Sequence, residues 1–281
     1  MIMDAYTDFA TVYDTFMDET PYEVWGNYVA ELIDRYGVSK PLLKEKAAEN
    51  DSADIAEDSE AAIEQERNLV VELGCGTGSF TLEMAKKGYD IMGIDLSPEM
   101  LDIARNKAAN EGFNLMFLEQ DMRELDLYCT AGTIVSVCDS VNYLTDPEDV
   151  ITTFKLVNNF LFPKGIFIFD FNTVHKYRDV IGNATIAENR DDCSFIWDNY
   201  YYEEDHINEY DLSIFVMQDE KNNLFKRFQE THYQRGYTLE EMTSFVKEAG
   251  LEFITAIDAD THENVTSDSE RIYIVARECG K

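Results

Sequence analysis

Three glycines and two acids carry the clearest chemical signal in this chain. The run Val71-Glu72-Leu73-Gly74-Cys75-Gly76-Thr77-Gly78-Ser79-Phe80 joins a short apolar stretch to the start of a helical pattern. Glycines at such a turn let the backbone come close to a ligand, and the helix that follows offers unpaired amide donors. Asp95 stands 21 residues beyond Gly74, at the end of the next apolar run. That is the interval at which an acid meets the ribose hydroxyls of a bound nucleoside. The two segments together read as a nucleoside-binding crevice. Two of these residues keep a second reading: Asp95 as the cap of a helix opening at Ser97-Pro98, and Glu72 as a buried acid holding the loop amides. The spacing is GxGxG, whereas the dinucleotide fingerprint places its third glycine where Ser79 stands.

Other reactive side chains give weaker patterns. The five cysteines (Cys75, Cys129, Cys138, Cys193, Cys279) form no CxxC pair, and the four histidines form no HxxxH or HExxH pair, so neither a disulfide framework nor a metal site is expected. Cys75 reads as a small buried hydrophobe rather than a nucleophile. His175 and His232 lie nearest the predicted active-site elements and are the candidate bases, against the alternative of ordinary surface histidines.

The elements around these residues alternate. Apolar runs at 69–73, 91–94, 115–118, 133–137 and 166–169 are separated by helical stretches. Ser97-Pro98 and Asp146-Pro147 mark helix starts, Gly88 and Gly112 mark stops, and Pro163-Lys164-Gly165 forms a turn into the fifth run. Continuous apolar strands joined by helices predict a parallel sheet covered on both faces. Upstream, Thr20-Pro21-Tyr22-Glu23 reads as a capping box ahead of a helix that ends at Gly37. Residues 47–67 hold eight acids and one base, the pattern of a solvated linker or a frayed helix. Downstream, runs at 197–202, 212–217 and 224–233, rich in Tyr, Phe and Ile, predict an antiparallel meander. Its aromatic residues Trp197, Tyr202, Phe215 and Tyr233 are expected over the mouth of the crevice. A second capping box, Thr238-Leu239-Glu240-Glu241, and two strands at 251–257 and 272–275 close the chain.

The acid-x-GxGxG segment, the acid about 20 residues later and an Asp after the third strand resemble the class I S-adenosylmethionine-dependent methyltransferases. The resemblance covers residues 65–172 and 238–277. It implies a three-layer, Rossmann-like α/β fold with a seven-stranded sheet whose last strand is antiparallel, N-terminal helices and an inserted antiparallel β meander. The expected division is a helical cap (1–46), an acidic segment (47–67), a cofactor-binding domain (68–172 and 236–281) and an insert on the substrate side (173–235). The family pattern implies cofactor contacts from Glu72, Gly74, Cys75, Gly76, Thr77 and Gly78, with Asp95 on the ribose and Leu96 and Met100 beside it. Gln120, Asp121 and Met122 fall at the adenine edge, and Cys138 and Asp139 follow the fourth strand. Tyr13-Asp14, Pro21-Tyr22-x-x-Trp25 and the insert are similar to glycine and amino-sugar N-methyltransferases, which adds Tyr13 and Trp25 to the candidate contacts.

Charge bounds the partners. With 56 acidic and 23 basic side chains the net charge is −33, which repels polyanions and leaves too few cations for a nucleic-acid or anionic-membrane surface. No basic leader and no run of about 18 apolar residues appears, so a cytoplasmic protein, a monomer or homodimer, is expected. The expected acceptor is a small molecule, with an amine favoured because it displaces a sulfonium methyl without a strong base. A nicotinamide-dependent dehydrogenase and a non-catalytic S-adenosylmethionine-binding regulator are the alternatives.

Overall fold

The computed structural model describes residues 10–18, 20–42 and 55–281; the opening residues 1–8 and the acidic stretch 47–54 lie outside the described residues. A central sheet contains β1 (Val70–Leu73), β2 (Ile91–Asp95), β3 (Met116–Glu119), β4 (Ala131–Ser136), β5 (Leu161–Asn172), β10 (Leu251–Asp258) and β11 (Arg271–Glu278), in the order β10-β11-β5-β4-β1-β2-β3. β1 to β5 are parallel, and β11 lies antiparallel between β5 and β10. Strand alternation in β5 sends Ile166 and Ile168 to one face and Phe167 and Phe169 to the other. The first face is covered by α2 (Tyr22–Tyr36) and α4 (Ser79–Lys86), the second by α6 (Pro147–Phe160) and α7 (Leu239–Glu248). The expected three layers are therefore present. α5 (Pro98–Asn110) packs Leu101, Ala104 and Ala108 beside Phe117 of β3.

Several local expectations change. The Thr20 capping box does not form: the Thr20 hydroxyl donates to Met17 Sδ at 3.8 Å and Pro21 takes the cap position without a side-chain bond. The amides of Thr20 and Tyr22 bond to the carbonyls of Met17 and Thr20, so Thr20 belongs to the turn leaving α1 (Ala10–Phe16). The acidic segment ends as a helix, α3 (Ile55–Asn68). The Ser39 hydroxyl donates to the Arg67 carbonyl (3.1 Å) and the Glu66 carboxylate accepts from the Thr130 amide and hydroxyl. A Cβ at Gly132 would stand 1.7 Å from the Arg67 carbonyl oxygen, so glycine is required where α3 meets β4. β5 starts at Leu161, before the expected turn, which survives as an irregular stretch with Lys164 at φ +67°.

The insert is a four-stranded antiparallel sheet in consecutive order, β6 (Thr185–Asn189), β7 (Cys193–Tyr202), β8 (Ile207–Asp219) and β9 (Leu224–Arg235). β6 is one strand more than the sequence pattern indicated. Val12 and Phe16 of α1 pack against Cys193, Leu212 and Ile214 on its inner face. Asn142 joins the two sheets, donating to the carbonyls of Asn172 (2.9 Å) and Arg235 (2.7 Å) while accepting from the Asn172 amide (2.8 Å).

Phe154 of α6 meets Phe167 and Phe169 with ring centroids 5.2 and 4.8 Å apart and is fully buried. Phe154→Ala is expected to destabilise the fold by about 3–5 kcal/mol, read as a lowered urea midpoint. An unchanged midpoint would show that this face of the sheet is not the core.

Candidate active site at the carboxyl edge of the sheet

Parallel strands deliver their ends to one edge, and here four of them end at acids. β1 carries Glu72, which is buried and accepts a short hydrogen bond from the Thr81 hydroxyl. β2 ends at Asp95, whose Oδ2 accepts from the Gly76 amide at 2.7 Å and whose Oδ1 accepts from the Ser97 amide at 2.9 Å. Asp95 therefore does not cap α5; Ser97 does, accepting from the Met100 amide at 3.2 Å. Just past β4, Cys138 and Asp139 adopt positive φ (61° and 53°), a conformation costing a non-glycine residue about 1–2 kcal/mol. Asp170 of β5 holds them there by accepting from both amides, at 3.2 and 2.7 Å.

The glycine loop is braced from outside. Gly74, Gly76 and Gly78 have φ of +70°, +53° and +72°, so each uses the freedom that a side chain would restrict. Thr77 donates to Asp14 of α1 at 2.6 Å, and Lys107 of α5 reaches Asp14 (2.7 Å), Thr77 (3.1 Å) and Ser79 (2.7 Å). In front of the loop lies a cleft of about 800 Å³, within the size range of small-molecule and cofactor sites.

Tyr13, Glu72, Gly74, Cys75, Gly76, Thr77, Asp95, Leu96, Met100, Gln120, Asp121, Met122 and Cys138 all line that cleft. The remaining candidates sit elsewhere. Gly78 faces Ala104 and Phe117, where a Cβ would come within 2.9 and 3.1 Å. Trp25 meets Tyr22 edge-on and carries the Arg271 guanidinium 4.3 Å from its ring centroid. Asp139 turns to Gln234, which donates to it at 2.6 Å. His175 pairs with Asp179 at 2.9 Å near the surface, and His232 is buried in the insert. Trp197, Tyr202, Phe215 and Tyr233 are not among the lining residues: Trp197 packs on Tyr210, while Tyr202 and Tyr233 are exposed. The insert instead reaches the cleft through Tyr143, a lining residue bonded to Tyr210.

Sequence patterns had not singled out Tyr143, Phe80 or Arg123 for the cleft. Tyr143 stands four residues beyond Asp139, so the segment after β4 was the available signal. Asp121 caps a short 3-10 turn and is gripped by Arg123, which also reaches Asp149 at 3.1 Å. Burial alone would raise the Asp121 carboxyl, but the Arg123 hydrogen bonds and charge outweigh it and hold the group low. The described lining thus has five acids (Glu72, Asp95, Glu99, Glu119, Asp121), Glu72 among them being the one that burial holds protonated, against one guanidinium already committed to acids. Such a cleft suits a ligand that carries positive charge and hydroxyl donors.

Comparison with known proteins agrees with this geometry. A family model described as a methyltransferase domain matches residues 70–165. The provisionally named methyltransferase YqeM of Bacillus subtilis (strain 168) is 33% identical over 275 residues, covering 97% of this chain and 96% of its own. An S-adenosylmethionine-dependent methyltransferase from Clostridium acetobutylicum ATCC 824 superposes with a TM-score of 0.77 at 26% identity, covering 98% of this chain and 99% of that one. The amino pentose methyltransferase CalS10 from Micromonospora echinaspora shares the fold, with a TM-score of 0.64 at 16% identity, covering 99% of this chain and 100% of that one. The chain belongs to the S-adenosylmethionine-dependent methyltransferases. Its methyl donor is S-adenosylmethionine, and it is an enzyme; no observation favours a dehydrogenase or a regulator without activity. Among the described residues, no helix is long and apolar enough to cross a membrane.

Burial, aided by the charge of Asp95, pushes the Glu72 carboxyl up to about 8. An unfolded glutamate ionises near the ordinary value of about 4.3, so between these limits the unfolded chain binds fewer protons than the folded one. Stability without ligand then falls as pH rises through that window and levels off above pH 8. Glu72→Gln removes this contribution. The melting temperature of the variant relative to the native protein is expected to rise from pH 5 to pH 8; a difference independent of pH would contradict a protonated Glu72.

Proposed function

We propose that this enzyme methylates a small amine, with the donor held along the glycine loop and the acceptor entering beside Tyr13, Tyr22 and Tyr143. The observation that carries the reading is the charge of the cleft: four carboxylates besides the protonated Glu72, and one guanidinium tied to two acids. Polyanionic acceptors and the pyrophosphate of a dinucleotide are disfavoured there, whereas an ammonium group is drawn in. The net charge of −33 extends the same preference over the whole surface and opposes nucleic acid. The shared fold with an amino pentose methyltransferase is consistent with a small acceptor.

The cleft fits the donor on its own geometry. A Cβ on Gly76 would meet no atom within 4 Å, so the space in front of that residue is open to a ligand. Each Asp95 oxygen accepts one amide and retains acceptor capacity for a ribose hydroxyl. Glu72 faces the ammonium end of the donor, and Leu96, Met100, Gln120, Asp121 and Met122 border the adenine. Gly74, Cys75, Thr77 and Cys138 border the methionine tail. Gly78, Trp25 and Asp139 act from behind the lining, through packing and through the hydrogen bond to Gln234. Bound in the cleft, S-adenosylmethionine supplies a methyl group already activated by its sulfonium. The chain has to align the acceptor nitrogen with that carbon and exclude water. No nucleophilic side chain is needed, which agrees with the burial that raises the thiols of Cys75 and Cys138 far above the ordinary range.

Gly76→Val is expected to abolish binding of S-adenosylhomocysteine in calorimetry, because the added methyls fill the open space. Gly112→Val provides the control, since Gly112 also has positive φ (+82°) with nothing within 4 Å of a Cβ; it carries a comparable backbone strain and should bind normally. Equal losses in both variants would remove the loop from the site. Asp95→Ala should weaken binding by about 1.5–3 kcal/mol, the range for a hydrogen bond to a charged group. For the acceptor, transfer of a radiolabelled methyl group to fractionated metabolites, with tRNA and bulk protein in parallel, should label basic metabolites. Label confined to tRNA or protein would reject the small-molecule reading, and an alkali-labile ester would reject the amine.

A further inference from the structure

Behind the cleft a chain of polar side chains runs from its lining into the insert. Tyr143 lines the cleft and is only half-buried. Its hydroxyl stands 2.8 Å from the Tyr210 hydroxyl and 3.3 Å from Nδ1 of His232. Nε2 of His232 in turn stands 3.3 Å from the Glu230 carboxylate, with both side chains almost wholly buried. The β8–β9 register sets Tyr210 opposite His232, and their rings stack at 5.1 Å. The titratable groups shown facing the imidazole are thus Tyr143 from the segment after β4, Tyr210 from β8 and Glu230 from β9.

We propose that Tyr143, His232 and Glu230 form a proton relay that takes the proton from the acceptor ammonium before methyl transfer. The inference rests on the amine reading above. The Glu230 carboxylate, 3.3 Å from Nε2 though not aligned for a hydrogen bond, favours the imidazole proton on that nitrogen by its charge and leaves Nδ1 as an acceptor for the Tyr143 hydroxyl. Tyr210 donates to the Tyr143 oxygen and orients it. The acceptor N–H bond breaks towards Tyr143 Oη while the Tyr143 proton passes to His232 Nδ1, giving an imidazolium beside the Glu230 carboxylate. The freed lone pair forms the N–CH₃ bond as the S–CH₃ bond breaks, its electron pair remaining on the thioether sulfur. The imidazolium proton returns to solvent by the same path after product leaves. Tyr143 is the group that meets the substrate, and His232 and Glu230 are positioning residues. The acid-rich cleft attracts the acceptor in its protonated form, which is unreactive, and the relay resolves that conflict.

Nitrogen-15 NMR of histidine-labelled enzyme tests the geometry without any acceptor. His232 should show a bare Nδ1 whose resonance moves in Tyr143→Phe; a protonated Nδ1, or no movement, would overturn the relay while leaving the amine reading intact. Kinetics with the basic metabolite fraction as acceptor test its use. Tyr143→Phe and His232→Gln should each lower kcat about 10- to 100-fold, within the usual span for acid–base assistance. Each should keep the calorimetric Kd for S-adenosylhomocysteine within twofold, and the acid limb of the kcat profile should move upward towards the acceptor's own ammonium. The double variant should be no slower than the slower single one, as for groups acting as a unit. Wild-type kcat and an unmoved acid limb in both variants would overturn the relay. No transfer by the native enzyme to any amine would instead refute the amine reading, and with it the task assigned to the relay.

Discussion

Four acids at the ends of adjacent parallel strands, two of them buried and two half-buried, are the constraint from which the rest of this site follows. Glu72, Asp95, Asp139 and Asp170 are brought to one edge because β1, β2, β4 and β5 run in the same direction. Burial raises the carboxyls of all four, that of Asp170 to about 6 despite the Arg271 guanidinium 3.6 Å away. Each acid is tolerated through a different partner. Thr81 serves Glu72, backbone amides serve Asp95 and Asp170, and Gln234 of the insert serves Asp139. A cationic ligand in the cleft relieves what remains of their mutual repulsion, and a sulfonium with an ammonium tail is a ligand of that kind.

The same acids fix local backbone geometry. Asp95 ties the glycine loop to the end of β2 through the Gly76 amide, so the loop cannot relax away from Asp95 without losing that bond. Asp170 holds Cys138 and Asp139 in a left-handed turn, and that turn directs Ser140 back to the Gly74 carbonyl at 3.1 Å and sends Tyr143 towards the insert. Backbone strain of this sort persists where surrounding bonds over-determine it, and it concentrates at sites that bind and react. The insert contributes from below rather than as a cover: Gln234 and Tyr210 support residues that line the cleft or adjoin it. α1 bridges the two sheets, with Asp14 on the glycine loop and Val12 and Phe16 on the insert.

Much of this was legible in the sequence wherever the signal was local. The glycine loop, Asp95, the first four parallel strands and the Thr238 capping box depend on neighbours within about 20 residues and lie, to within a residue or two, where the pattern puts them, and the fifth strand begins five residues early. The losses have two causes. Competing local bonds displaced Thr20 from its cap, and the polar run Thr185–Asn189 gave no apolar alternation to mark β6. The larger cause is distance along the chain. Asp170 with Arg271, Tyr143 with His232, and Asp14 with Thr77 are separated by 60 residues or more, and no spacing rule joins them. For the same reason the aromatics of the insert suggested a cover over the cleft: their alternation identifies strands, but not which face meets the site.

A crystal structure of the complex with S-adenosylhomocysteine tests the central claim most directly. Density should lie along the glycine loop, with the Asp95 carboxylate within hydrogen-bonding distance of the ribose hydroxyls and the thioether sulfur turned towards Tyr13, Tyr22 and Tyr143. Density at any other cleft, or a ribose bound without Asp95, would contradict the account.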